Sequence, residues 1–151
     1  MKKIAIFPGS FDPYTLGHHD IIIRSLRIFD EVIIGVGYNS TKKNRYFDID
    51  MMVSKISEVY QYTDRVKVIV YNELTSTLAK KHGANFLVRG LRNTTDFEYE
   101  NTISQMNRYL NADLETVFLI TSPRFAATNS TIIREVHRFG GDVSEFLPYK
   151  L

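Results

Sequence analysis

The sequence contains no cysteine, and that absence excludes disulfides, cysteine-ligated zinc and a thiol nucleophile together. It also lacks any apolar run approaching the ~20 residues that span a bilayer, so no membrane partner is expected. The opening Met1-Lys2-Lys3-Ile4-Ala5-Ile6-Phe7 starts basic, as a signal peptide does, but Pro8-Gly9 cuts its apolar stretch. That leaves it short of the ~7–15 residues of a signal core, and it reads instead as a buried first strand. An excess of one charge is missing too. The formal net charge is only +2, from 19 Lys+Arg against 17 Asp+Glu, which gives no warrant for a nucleic-acid surface. The four histidines, His18, His19, His82 and His137, are too scattered for a protein-built zinc site, the adjacent pair aside, and no metal-ligating side chains are expected.

What is present is ordinary globular material. With 151 residues, 44% of them hydrophobic and 24% charged, the chain suits one domain over 1–151 with a real core. A soluble, cytoplasmic protein is the expectation. Five short apolar runs, Ile4–Phe7, Val32–Val36, Val66–Tyr71, Asn85–Val88 and Thr116–Ile120, are near-continuous rather than alternating, as parallel strands covered on both faces should be. Helical patterns lie between them. Ile22, Leu26 and Phe29 form one stripe, and Ile49, Met52, Val53, Ile56 and Val59 a second. Leu74 and Leu78 predict a short helix stopping near Gly83. Tyr99, Ile103, Met106 and Leu110 line one face of a longer helix, and Ile132, Ile133, Val136 and Phe139 make the last, ended by Gly140-Gly141. Alternation of this kind predicts an α/β fold: a single doubly wound, parallel, five-stranded sheet with right-handed crossovers.

Ligands of open α/β sheets bind beyond the carboxyl ends of the strands. The unusual residues of this sequence gather at those positions. Pro8-Gly9-Ser10-Phe11-Asp12-Pro13-Tyr14-Thr15-Leu16-Gly17-His18 follows the first strand and Asn39-Ser40-Thr41-Lys42-Lys43 the second. Asn72-Glu73-Leu74-Thr75 follows the third, Arg89-Gly90-Leu91-Arg92 the fourth and Thr121-Ser122-Pro123-Arg124 the fifth. Cationic side chains and one imidazole at a single rim describe a site for a polyanion. Gly17-His18 belongs at a helix opening, where backbone N–H groups and the helix dipole favour phosphate. Neighbours on a helix point ~100° apart, so His18 and His19 cannot face one phosphate, and His18 is the better placed. Arg89 and Arg92, three apart around a glycine, suit bidentate phosphate contacts. Asp96, Glu98 and Glu100 open the long helix and complement its dipole, while Asn129-Ser130-Thr131 serve either as caps or as phosphate contacts. The G-x-x-x-x-G-K-[ST] loop, the G-x-G-x-x-G fingerprint and the G-x-S-x-G elbow are all absent.

Gly9-Ser10-Phe11-Asp12-Pro13 with Thr15-Leu16-Gly17-His18 resembles the G-[ST]-F-D-P…T-x-G-H signature of the nucleotidylyltransferase superfamily, whose fold is Rossmann-like. Three further stretches, Arg89-Gly90-Leu91-Arg92, Asp96-Phe97-Glu98-Tyr99-Glu100 and Met106-Asn107-Arg108, resemble the bacterial phosphopantetheine adenylyltransferase family. Gly141-Asp142-Val143 and Phe146-Leu147-Pro148 extend that similarity over nearly the whole chain. The resemblance implies adenylyl transfer from ATP to 4′-phosphopantetheine, giving dephospho-coenzyme A and pyrophosphate by direct in-line attack without a covalent enzyme intermediate. It implies Mg²⁺ held mainly by ATP oxygens and water, and a homo-oligomer, a hexamer in that family. Carried over by position, it makes His18, Lys42, Arg92 and Ser10 the catalytic set. ATP would meet Ser10, Phe11, His18, Gly90, Leu91, Arg92, Glu100 and the stretch Phe125, Ala126, Ala127, Thr128, Asn129, Ser130 and Thr131. The pantetheine substrate would meet Ser10, Lys42, Thr75 and Arg89. Ser10, Leu16, Phe125 and Asn129 depart from the residues most usual in the family, and none of the four removes a charge or the histidine. Related transferases acting on nicotinate mononucleotide or glycerol 3-phosphate share the first-loop signature, and a non-catalytic nucleotide-binding module is the remaining alternative.

Overall fold

A computed structural model describes residues 1–39 and 44–151. Its strands are β1 (Ile4–Gly9), β2 (Glu31–Gly37), β3 (Val66–Tyr71), β4 (Phe86–Leu91) and β5 (Glu115–Ile120), all parallel, in the order β3-β2-β1-β4-β5. The helices are α1 (Leu16–Ser25), α2 (Ile49–Val59), α3 (Thr75–Lys81), α4 (Thr94–Leu110) and α5 (Ser130–Arg138). The order reverses at β1 and β4, so a crevice opens above the point where those two strands part.

The central strands are apolar because both faces are covered. Ala5, Ile6, Val32, Ile33, Ile34 and Val88 are all essentially inaccessible to solvent. One face packs with Ile22, Met52 and Ile56 of α1 and α2, the other with Leu78 and Ala79 of α3 and with Leu114. Helix boundaries follow their capping chemistry. The Asp48 carboxylate accepts from Met51 N–H, and the Asn93 and Asn129 side chains accept from Asp96 and Ile132 N–H. Gly83 and Gly140 take φ of +62° and +82° just past α3 and α5, the left-handed conformation that stops a helix.

Two expectations are corrected. Arg89, Gly90 and Leu91 lie within β4 rather than after it, because the ladder to β5 continues through Leu91↔Ile120. The edge strands are not covered throughout: Val70 and Ile120 are exposed. The apolar stripe of α4 is likewise open, with Tyr99 66% and Met106 58% accessible. On α5 only Ile133 is buried, while Phe139 is 82% accessible. Helical periodicity reports an amphipathic face, and it does not say whether the same chain covers that face.

Candidate active site

Between β1 and α1 the chain makes a turn held in a conformation that its own sequence does not favour. Phe11 has φ of +46°, which costs an L-residue other than glycine about 1–2 kcal/mol. Its ring repays part of that cost by burial, packing against Phe7 at 5.3 Å and Tyr14 at 5.4 Å between centroids. Gly9 makes this possible, since a Cβ there would stand 2.9 Å from the Phe11 ring. The turn's carbonyls are taken one after another. Arg45 donates to Ser10 O and Phe11 O, Arg134 to Asp12 O, Ser130 Oγ to Pro13 O, and Tyr149 OH to Tyr14 O. The Asp12 carboxylate accepts in return from Tyr46 and Phe47 N–H, at 2.9 and 2.8 Å.

Thr15 caps α1, and His18 completes a reciprocal box. Thr15 Oγ1 accepts from His18 N–H, and His18 Nδ1 accepts from Thr15 N–H at 2.9 Å. That second bond fixes the tautomer: Nδ1 carries the lone pair, so the ring proton sits on Nε2. The ring lies edge-on to Phe11 at 5.0 Å and beside Tyr14 at 5.4 Å. Burial first, then the Arg89 and Arg92 charges, hold its pKa down to about 3, so at neutral pH it is an uncharged N–H donor. His19 behaves otherwise. Its Nδ1 is 2.8 Å from the Tyr60 hydroxyl, which bonds in turn to Tyr14, and it belongs to the α1–α2 packing.

Two cavities open on this turn. The first, about 350 Å³, is walled by Gly9, Ser10, Phe11, Gly17, His18, Gly90, Arg92, Asp96, Phe125 and the 128–131 segment, among others. The amino ends of α1 and α5 both face it, which suits an anion. The second, about 300 Å³, includes Gly37, Tyr71, Thr75, Leu87, Tyr99, Ile103 and Asn107 in a more apolar wall. Pro8, Gly9, Ser10, Arg89 and Glu100 line both. At this seam Arg89 forks onto the buried Glu100 carboxylate, with Nε–Oε2 at 2.9 Å, and also donates to Pro8 O. Arg92 pairs with Asp96 at 3.0 and 3.2 Å, and these hydrogen bonds hold the Asp96 carboxyl below its usual range.

Of the residues singled out for ATP, Ser10, Phe11, His18, Gly90, Arg92, Glu100, Phe125, Thr128, Asn129, Ser130 and Thr131 stand on the first wall. Leu91 is buried, and Ala126 and Ala127 are exposed outside that wall. Ser10, Thr75 and Arg89 stand on the second wall. Lys42 lies outside the described residues. Arg45, Arg134 and Tyr149 were invisible to sequence reasoning. Their partners in the turn lie 34 to 135 positions away, and each reads locally as a surface residue.

Comparison with known proteins fits this geometry. The sequence profile of the cytidylyltransferase-like family matches residues 6–136. The chain belongs to that family. It is 61% identical over 151 residues to the phosphopantetheine adenylyltransferase of Cytophaga hutchinsonii, covering 100% of both chains. Against the enzyme of that name from Bacteroides thetaiotaomicron it is 45% identical, covering 98% of this chain and 96% of the relative. Among solved structures, a putative nicotinate-nucleotide adenylyltransferase from Vibrio parahaemolyticus superposes with a TM-score of 0.71 at 22% identity, over 97% of this chain and 87% of the other. A bifunctional NMN adenylyltransferase/ADP ribose pyrophosphatase from Francisella tularensis gives 0.74 at 20%, over 98% and 45%. At such identities the likeness is one of fold, the Rossmann-like nucleotidylyltransferase architecture. The chain is a nucleotidyltransferase enzyme.

Proposed function

We propose that the chain transfers the adenylyl group of ATP to 4′-phosphopantetheine, giving dephospho-coenzyme A and pyrophosphate. The observation that carries this reading is the pair of cavities meeting at Ser10, Arg89 and Glu100. A polar cavity under two helix amino ends suits a nucleotide triphosphate, and a neighbouring, more apolar one suits a pantetheine arm. Their shared wall supports a reading in which the two reacting phosphates meet there. An oxygen of the acceptor phosphate attacks the α-phosphorus of ATP in line, a new P–O bond forms, and the α–β bridge breaks to release pyrophosphate. His18 Nε2–H donates to an α-phosphate oxygen as charge develops there. Arg92 and Ser10 hold the phosphates, and Lys42 and Arg89 the acceptor. Catalysis is then by positioning and preorganised donors.

Mg²⁺ would screen the triphosphate charge, held by ATP oxygens and water. The donor set of the cavity fits that arrangement. Its carboxylates, Asp96 and Glu100, are already engaged by Arg92 and Arg89, and among the described residues no group of three metal-ligating side chains occurs. The exposed apolar stripe of α4 is consistent with burial in a homo-hexamer, which light scattering would measure.

The decisive assay is pyrophosphate release from ATP with 4′-phosphopantetheine and, in parallel, with nicotinate mononucleotide. Release with the first alone is expected. Release with the second alone overturns the assignment.

A further inference from the structure

We propose that Arg45 is a positioning residue for ATP: its guanidinium holds the Ser10–Asp12 turn in the shape that walls the first cavity, without touching the ligand. The inference rests on the nucleotide reading of that cavity and on nothing about the acceptor.

The two carbonyls that Arg45 holds are not arbitrary. Ser10 O and Phe11 O belong to the peptide planes on either side of the Phe11 Cα, and the relation between those planes is the φ and ψ of Phe11. A planar guanidinium bound to both therefore fixes the one residue of the turn that has a positive φ. Strained backbone persists where its surroundings over-determine it. Arg45 is the element of those surroundings that acts on the strained dihedrals themselves. The adjacent backbone returns the contact, since Tyr46 and Phe47 N–H both donate to the Asp12 carboxylate. The turn and the 45–47 segment are thus fastened in both directions.

A direct role on phosphate is disfavoured by placement. Arg45 stands on neither cavity wall, and both its terminal nitrogens are committed to carbonyls. Among the described residues its buried Nε has no partner, so the fork is kept even at the expense of one donor. Arg65 supplies the contrast. It forks in the same way onto Leu26 O, Phe29 O and Asp30 O, but on a turn remote from both cavities.

If the fork keeps the turn in its competent form, losing it lowers the competent fraction, and ATP affinity falls by that fraction. Calorimetric titration of ATP into Arg45→Ala should show binding weakened about tenfold, while kcat at saturating ATP falls by no more than about threefold. Arg45→Lys, which keeps the charge without the planar fork, should remain weakened. Millimolar guanidinium should restore ATP affinity to Arg45→Ala, and methylammonium should not. Arg65→Ala should lower the melting temperature and leave ATP affinity alone. Unchanged ATP affinity in folded Arg45→Ala, or full affinity in Arg45→Lys, would overturn the proposal. Because the readout is ATP binding, it is judged separately from the acceptor: wild type that binds ATP yet ignores 4′-phosphopantetheine defeats the proposed function, and the titration still decides the role of Arg45.

Discussion

At the end of the sheet where the strands begin, the buried Glu31 carboxylate sits between Lys2 and Lys67 at 2.8 and 2.9 Å, and Arg65 closes on three carbonyls. At the end where the strands finish, Arg89 and Arg92 also have carboxylate partners, but they stand on cavity walls beside His18 and two helix amino ends. Burial alone would raise the Glu31 pKa, and the Lys2 and Lys67 hydrogen bonds outweigh it and hold the carboxyl below its usual range. His18 is shifted the opposite way in charge: burial and two neighbouring cations keep it neutral. The same residue types therefore serve two ends. Where each charge is closed on a partner and no cavity wall includes it, the pairing supports the fold. Where the pair borders a cavity, a ligand can compete for it.

That contrast can be broken experimentally. The largest effect should come from His18→Ala, with turnover reduced about 10²–10³-fold through loss of one preorganised donor, worth about 3–4 kcal/mol. Circular dichroism should show the fold kept, and a near-normal rate in the folded variant would remove His18 from the chemistry. Arg92→Ala should raise the KM for ATP about tenfold, the scale of one charge-assisted hydrogen bond; an effect confined to melting temperature would place Arg92 with Glu31. Glu31→Gln should do the reverse, costing about 1 kcal/mol, read as a ~2–4 °C lower Tm, with kcat unchanged. Because the folded Glu31 pKa is depressed, that contribution is present above the unfolded value and is lost as pH falls through the folded one.

The smallest expected response is none. With a folded pKa of about 3, the His18 ring resonances of the ligand-free protein should not move between about pH 8 and pH 5. The unfolded chain takes that proton near ~6.5, so it binds more protons than the native state below that pH. Stability present above ~6.5 should accordingly decline as pH falls toward about 3. A His18 titration near neutrality would show that burial beside Arg89 and Arg92 does not hold the ring neutral as described.

Much of this was legible in the sequence, and the reasons are local. Pro8, Gly9, Gly17 and His18 mark a strand-to-helix turn because each acts on its own backbone or helix end. The parallel five-stranded sheet follows from the alternation of strands and helices, whereas its order, 3-2-1-4-5, is seen only in the folded chain. What was not legible depends on distant pairing. Arg45 and Arg134 reach Phe11 and Asp12 only through the folded chain, and Glu100, expected at the nucleotide, is held first by Arg89. The open faces of α4 and α5 were beyond reach as well. An apolar stripe has the same period whether its cover comes from the same chain or from another.

The proposed step is direct passage of the adenylyl group from a ligand in one cavity to a ligand in the other. Exchange of labelled pyrophosphate into ATP measures this with the fewest assumptions. Exchange should require dephospho-coenzyme A or 4′-phosphopantetheine and should be absent with ATP and pyrophosphate alone. Vigorous exchange without any acceptor would reveal an adenylylated enzyme and contradict direct transfer across the Ser10–Arg89–Glu100 seam.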